Sequence, residues 1–221
     1  MARKIVNGTV PSIGATFGTA TNITAMTNAN PCVATFAAAH GIIVGDYVEI
    51  TASGWPLAAN RVFRASVVSI NDITLEGFNT TNTALYPAAG GVGSTGRRII
   101  TWVAIQQVNA DGLTVDGGDQ QFKEGQYIDS ALQFRFPTLK TPINAAMVVD
   151  DDQSLTYWTT VRAAEAALTN YPVRMAYPSS TGFAVGTGLW TVSAAPAMTG
   201  NDVQKRTINV ALASIFTEYT T

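Results

Sequence analysis

Residues 117–152 read GGDQQFKEGQYIDSALQFRFPTLKTPINAAMVVDDD, and two alternating runs inside this stretch decide the fold. Over residues 127–136, Ile128, Ser130, Leu132, Phe134 and Phe136 point one way, and Tyr127, Asp129, Ala131, Gln133 and Arg135 the other. A period of two marks a strand with one face buried, here about 33 Å long. Pro137-Thr138-Leu139-Lys140-Thr141-Pro142 breaks the run. A second run then places Ile143, Ala145, Met147 and Val149 on one face and Asn144, Ala146, Val148 and Asp150 on the other. Together they predict a long hairpin, apolar on one side and small or polar on the other.

Outward from this stretch the chain is mostly strand-like. Downstream, Tyr157, Val161, Ala164 and Leu168 recur at helical spacing. Asp151, Asp152 and Ser154 supply capping oxygens and negative charge for the helix N-terminus, and Thr169-Asn170-Tyr171-Pro172 ends it. Strands resume at VRMAY (173–177), GLWTVS (188–193) and RTINVALASIF (206–216), where Ile208, Val210 and Leu212 alternate with Thr207, Asn209 and Ala211. Upstream, NITAM, CVATF, DYVEIT, RVFRASVVSI and ITLEGF follow one another between residues 22 and 80 with no helix between them, which predicts a small barrel or sandwich. The Gly/Ala/Pro-rich residues 81–96 read as a linker. RIITWVAIQQV (98–108) returns to strand, with Asp111-Gly112 and residues 116–119 as turns.

Charged residues make up 13% of the 221, about half the usual share, so neutral polar and small residues cover the surface. That suits a protein which hides its outside against copies of itself, and equally an ordinary Thr-rich β-protein. With a net charge of -2 and no basic run longer than Arg97-Arg98, tight nucleic-acid binding is not expected. Cys32 is the one cysteine, so no internal disulfide or cysteine-based zinc site can form. No apolar run reaches membrane-spanning length and the start lacks an apolar leader core, which predicts a soluble, cytosolically made chain.

Gly91-Val92-Gly93-Ser94-Thr95-Gly96 spells G-x-G-x-x-G, but a phosphate loop needs a strand before it and a helix after it. Here a Pro/Ala/Gly segment precedes and a β-branched run follows. Asp150-Asp151-Asp152 lacks the second cluster a divalent cation requires. His40, the one histidine, reads as a turn residue, and Cys32 as a buried small hydrophobe. Arg97-Arg98 reads as a solvated strand start or a salt-bridge donor to a neighbouring subunit. No catalytic residue, metal or cofactor is expected, and the chain does not read as an enzyme.

The order of these segments resembles the tail tube proteins of long-tailed, non-contractile bacteriophages. In that family a Gly-Gly-Asp/Glu-Gln-Gln-Phe segment leads into a long amphipathic hairpin, an acidic turn and one helix, matched here by residues 117–122, 127–149, 150–152 and 154–168. HGIIVGDYVEITASGWPLAANRVFRASVVSINDITLEG (40–77), which opens on H-G-x-x-x-G-D-x-V, is similar to a small β-barrel module of phage tail proteins. The resemblance implies a mainly β protein with one helix (α+β). A tail-tube sandwich or barrel core at 1–21 and 97–221 would carry the long hairpin, and an inserted β-barrel module at 22–80 would join it through the linker.

It also implies hexameric rings stacked into a hollow tube that conducts DNA. Four strands per subunit make 24, which at about 4.8 Å spacing and ~40° tilt close at roughly 45–50 Å, wide enough for a duplex. Asp129, Gln133, Arg135 and Asn144 would then line the lumen, with Arg135 pairing an acid across the subunit boundary. Leu132, Phe134 and Phe136 would pack with Trp158 and Val161 in the core. The tip Pro137, Thr138, Leu139, Lys140 and Thr141 is either a contact between stacked rings or a plain solvent turn. The N-terminal segment 2–20 is either an arm ordered on assembly or an edge strand. Implied partners are further copies, tail-tip or initiator, terminator and tape-measure proteins, and double-stranded DNA passing without specific binding. The implied location is the virion, after assembly in the host cytoplasm, with no membrane contact. Two alternatives are another tail component and a carbohydrate-binding β-module using Trp55, Tyr47 and Phe63.

Overall fold

The computed structural model describes residues 8–37, 40–129, 131–178, 182–198, 200 and 202–220. Residues 1–7 of the N-terminal segment, and Ser130 of the alternating run, lie outside the described residues. β1 (Val10–Phe17) precedes five strands, β2 (Thr21–Met26), β3 (Cys32–Phe36), β4 (Tyr47–Ala52), β5 (Arg61–Val68) and β6 (Asp72–Leu75). β7 (Ser94–Ala104) closes them into a six-stranded barrel in the order β2-β3-β6-β5-β4-β7, with β7 pairing back to β2. Alternation makes the barrel: Cys32, Ala34 and Phe36 point inward and are buried, while Val33 and Thr35 are only half-buried. Phe63 and Phe78 stack inside, centroids 4.5 Å apart.

The residues read as a plain linker are corrected. Ser94–Gly96 already belong to β7, and the segment before them sends Tyr86 into the barrel's core cluster. Tyr86 packs edge-on to Trp55 at 5.3 Å, and the Trp55 indole N–H donates to the Pro87 carbonyl at 2.8 Å. The glycines are there for close packing: a Cβ on Gly90 would lie 2.6 Å from Trp55 Nε1, and one on Gly96 2.9 Å from the Phe36 ring. Both steric demands are invisible in the composition that suggested a linker.

β7 also leaves the barrel. Its first part pairs with β2 and β4, and residues 99–104 pair with β1. β1 lies between β7 and β12 (Tyr171–Ala176), so the described part of the N-terminal segment is an interior strand, neither a loose arm nor an edge. The sheet continues through β13 (Phe183–Val192), β14 (Lys205–Leu212), β11 (Asn144–Asp150) and β8 (Val108–Asp116), with β15 (Thr217–Tyr219) on β13. α1 (Tyr157–Ala167) lies over β13 and β1. Tyr157, Trp158, Val161 and Ala164 meet Met147, Val173, Trp190, Ile208 and Val210 in one buried cluster. Leu168, expected on this stripe, is 81% exposed because it leaves the helix in the left-handed conformation at φ 51°. The expected acidic cap is absent too. The N-cap is Thr156, which makes no side-chain cap hydrogen bond, and Asp152 Oδ1 instead accepts from the Ser154 amide and hydroxyl.

The long hairpin is the largest correction. The hairpin that forms pairs β9 (Gln120–Gly125) with β10 (Phe134–Lys140). β10 does not pair with β11, which sits between β8 and β14. Pro137 therefore lies within a strand, opposite Phe122. A two-stranded ribbon leaves one edge of each strand free, where a missing N–H breaks no ladder bond. Asp111-Gly112 is likewise strand rather than turn: Gly112 lets β8 pass so close to β11 that a Cβ would sit 2.7 Å from Val148 Cβ.

Candidate assembly surfaces

α1 covers one face of the sheet, and the opposite face of β13, β14, β11 and β8 is open. Register lines its side chains into rows. Thr114, Ala146, Asn209 and Thr191 form one, and Asp116, Asn144, Ala211 and Leu189 the next. All are exposed or half-buried, while their neighbours Ala145, Met147, Val149, Ile208 and Val210 are fully buried beneath. The rows are mostly small and uncharged, with Leu189 as the large apolar side chain and Asp116 at the β8 margin. At the far end of β11, Asp150 stands opposite Lys205, and Asp151 accepts from Arg206 Nε at 2.8 Å. Such a face neither attracts nor repels a polyanion strongly. Of the four predicted lumen residues only Asn144 is on it. The alternation in β14 that places Asn209 and Ala211 there is plain in the sequence.

The second surface is the β9–β10 arm. It is pinched at its base, where Asp119 N–H donates to Thr141 Oγ1 and Thr141 N–H to the Asp119 carbonyl, both at 2.9 Å. Beyond that it has no sheet beneath it. Cross-strand pairing sorts its side chains into two faces. Phe134 and Phe136 stack at 5.2 Å, and Tyr127 extends the ladder at 4.7 Å from Phe134. On the other face Arg135 is ion-paired with Glu124 within the arm, not across a subunit boundary. Leu132 is 79% and Phe136 47% exposed, so neither packs with Trp158 and Val161, which are buried on the inner face of α1. Asp129 and Gln133 lie between β9 and β10, and Pro137, Thr138, Leu139 and Lys140 in β10, with Thr141 at the base.

The groups considered for chemistry have structural partners. Arg97 Nε donates to Glu49 Oε2 at 2.6 Å, and Arg98 lies 2.7 Å from Asp46, so the pair is committed within the chain. The G-x-G-x-x-G glycines run into strand β7, with no helix N-terminus to offer amides. His40 Nδ1 accepts from the Ile42 amide, so Nε2 carries the proton toward the Ile70 carbonyl, and the ring fastens a turn. Burial pushes the Cys32 thiol up, away from the thiolate a nucleophile needs. Among the described residues no group of three or more His, Cys, Asp or Glu is placed to hold a metal ion, and no helix is long and apolar enough to cross a membrane. Trp55 and Phe63 are fully buried, which removes the proposed aromatic sugar platform.

A family model described as "Phage tail tube protein, TTP" matches residues 53–221. No curated protein matches the chain.

Proposed function

We propose, because the chain belongs to the phage tail tube protein family, that it forms hexameric rings which stack into a hollow tube conducting double-stranded DNA. Membership itself makes the chain a structural component of the virion tail, one that assembles into a tube with other tail proteins. The observation that carries the finer reading is the two-faced sheet: one face sealed by α1, the other open, neutral and four strands wide. In this reading β13, β14, β11 and β8 are each subunit's share of a 24-strand inner barrel, and Asn144, Ala146, Asn209 and Thr191 face the lumen. The arm, with Pro137, Thr138, Leu139 and Lys140 on β10 and Thr141 at its base, reaches the adjacent ring, and Asp129, Gln133 and Arg135 serve that contact instead of the lumen. The barrel around residues 22–80 stands outside the tube as a distinct module. Assembly in the host cytoplasm would start on an initiator complex and take its length from a tape-measure protein, with a terminator closing the end. Negative-stain electron microscopy of the concentrated protein tests this. Hollow rods or rings with a backbone-to-backbone lumen of roughly 45–50 Å support it, and particles that stay monomeric even with the tail-tip complex added overturn it.

A further inference from the structure

Arg64, Arg97, Arg98, Arg135 and Arg206 each hold a carboxylate within the chain. Arg61, at the start of β5, holds none among the described residues, although only 9% of its surface is exposed. Its guanidinium lies over the rings of Phe63 and Phe78, at 4.7 and 5.3 Å. Those rings attract the flat face of the ion. The five N–H donors, however, radiate in the plane of the guanidinium, and among the described residues only one bond accounts for any of them: Nη2 donates to Thr217 Oγ1 at 3.0 Å. Nε is buried without an acceptor. Burial accordingly pulls the Arg61 guanidinium below its ordinary value, the mark of a cation that has lost its water without gaining a counter-charge.

Arg61 lines a cleft of about 240 Å³ between the barrel and the turn that joins β14 to β15. Tyr86 lines the same cleft and is 8% exposed. Ser214 on the opposite wall donates its hydroxyl to the Asn60 carbonyl at 2.6 Å. Leu57 and Ile215, each about half exposed, form aliphatic lips. We propose that this cleft is a binding site for a monocarboxylate, whose planar oxygens meet the outer Nη donors of Arg61 and the Tyr86 hydroxyl while its aliphatic part lies between Leu57 and Ile215. A fork of parallel N–H donors matches a carboxylate in geometry. One cation balances one negative charge, so a phosphate dianion would stay uncompensated between apolar lips. The inference goes beyond the tube reading and rests on no part of it.

The test uses butyrate as the probe and the Arg61 Nε–H signal in proton–nitrogen correlation spectra of the free subunit. A saturable shift with butyrate, absent with chloride at equal ionic strength, is expected. Tyr86→Phe keeps the ring that caps Trp55 and should weaken butyrate about tenfold, the usual loss for a hydrogen bond to a charged group. Ile215→Glu, on the exposed turn, places a carboxylate at the mouth and should abolish butyrate binding while shifting the Arg61 signal toward its bound position. A butyrate shift reproduced by chloride, or equal affinity in Tyr86→Phe and the parent, overturns the proposal. Line broadening of butyrate in assembled particles separates the two natural sources. Binding lost on assembly identifies an acidic side chain of a second copy, and binding kept identifies a free carboxylate.

Discussion

Tyr219 pins the C-terminal strand to the barrel, and replacing it with phenylalanine tests how the two halves of the molecule hold together. The side chain is 5% exposed and lies against Phe183, with centroids 5.0 Å apart. Its hydroxyl accepts from the Arg64 amide at 2.8 Å and donates to the Glu76 carbonyl at 3.1 Å. Burial, aided by the Glu76 charge, pushes the hydroxyl up to about 12. Tyr219→Phe leaves the Arg64 amide with no acceptor in a dry seam, which costs about 1–3 kcal/mol. For a chain of this length that lowers Tm by roughly 2–12 °C. The pH dependence is the sharper signature. A folded-state value raised from 10 to about 12 gives stability that is fully present below about pH 10 and is lost as pH rises through about 12. Two pH units correspond to about 3 kcal/mol, comparable to the whole cost of the substitution. The gap between parent and variant should therefore be widest near pH 8 and close, or reverse, by about pH 12. Tyr157 is also pushed to about 12, but it is present in both proteins and cancels in the difference. Thermal denaturation followed by circular dichroism across this range gives the answer. A Tm gap that is constant with pH would refute the burial of a neutral, hydrogen-bonded Tyr219.

Glu49 is buried beside Arg97, and desolvation raises its carboxyl above its ordinary value despite the guanidinium. Its contribution is present below about pH 4.5 and lost as pH rises through the raised value, so Glu49→Gln should gain on the parent between pH 4.5 and 7 in denaturant melts; a growing deficit would mean that the ion pair outweighs desolvation. Met147, fully buried under α1, should lose about 2–5 kcal/mol as Met147→Ala, read from the urea midpoint, and a loss below 1 kcal/mol would show that the cluster collapses around the gap. Replacing residues 120–140 by a short Gly-Ser turn between Asp119 and Thr141, already hydrogen-bonded to each other, should leave Tm nearly unchanged and abolish tube formation in electron micrographs. Rods from the excised protein would sink the arm's assembly role.

The barrel strands were legible because their signal is local: CVATF and RVFRASVV alternate, and each run ends at a turn residue. The helix was legible from Tyr157, Val161 and Ala164, whose spacing needs no knowledge of what they pack against. β11 was legible face by face, with Ala145, Met147 and Val149 inward as read. What failed was partnership. The alternation of Ile128, Leu132, Phe134 and Phe136 is compatible with any ribbon, and nothing in the run states whether β9 or β11 lies alongside. Pro137 then argued for a break, since proline is costly in a central strand, whereas in a free-edged ribbon it is harmless. The glycines at 90–96 failed for a related reason: an absent Cβ means flexibility in a linker and close contact in a packed segment, and only the neighbours, Trp55, Met26 and Phe36, distinguish the two. Arg61 left no trace in the sequence, because its distinction is the carboxylate it lacks.

β7 and β8 give the sheet unlike margins, and the tube reading makes use of the difference. At one margin β7 is consumed twice, by β2 and β4 in the barrel and by β1 in the sheet, so it has no edge to offer. At the other, β8 pairs among the described strands with β11 alone, and its outer edge is a row of backbone donors and acceptors ready for another strand. The arm leaves the chain immediately after β8, at Gly117 and Gly118, whose positive φ values of 98° and 84° turn it away from the sheet. The free edge and the unsupported aromatic ladder thus share one side of the subunit. A lone two-stranded ribbon is marginal in water, and an exposed edge invites indiscriminate pairing. A neighbouring subunit that covers both removes both liabilities at once, and a head-to-tail contact of this kind closes into a ring when its rotation permits. The features that make this chain awkward as a monomer are therefore the ones that would hold it in a tube.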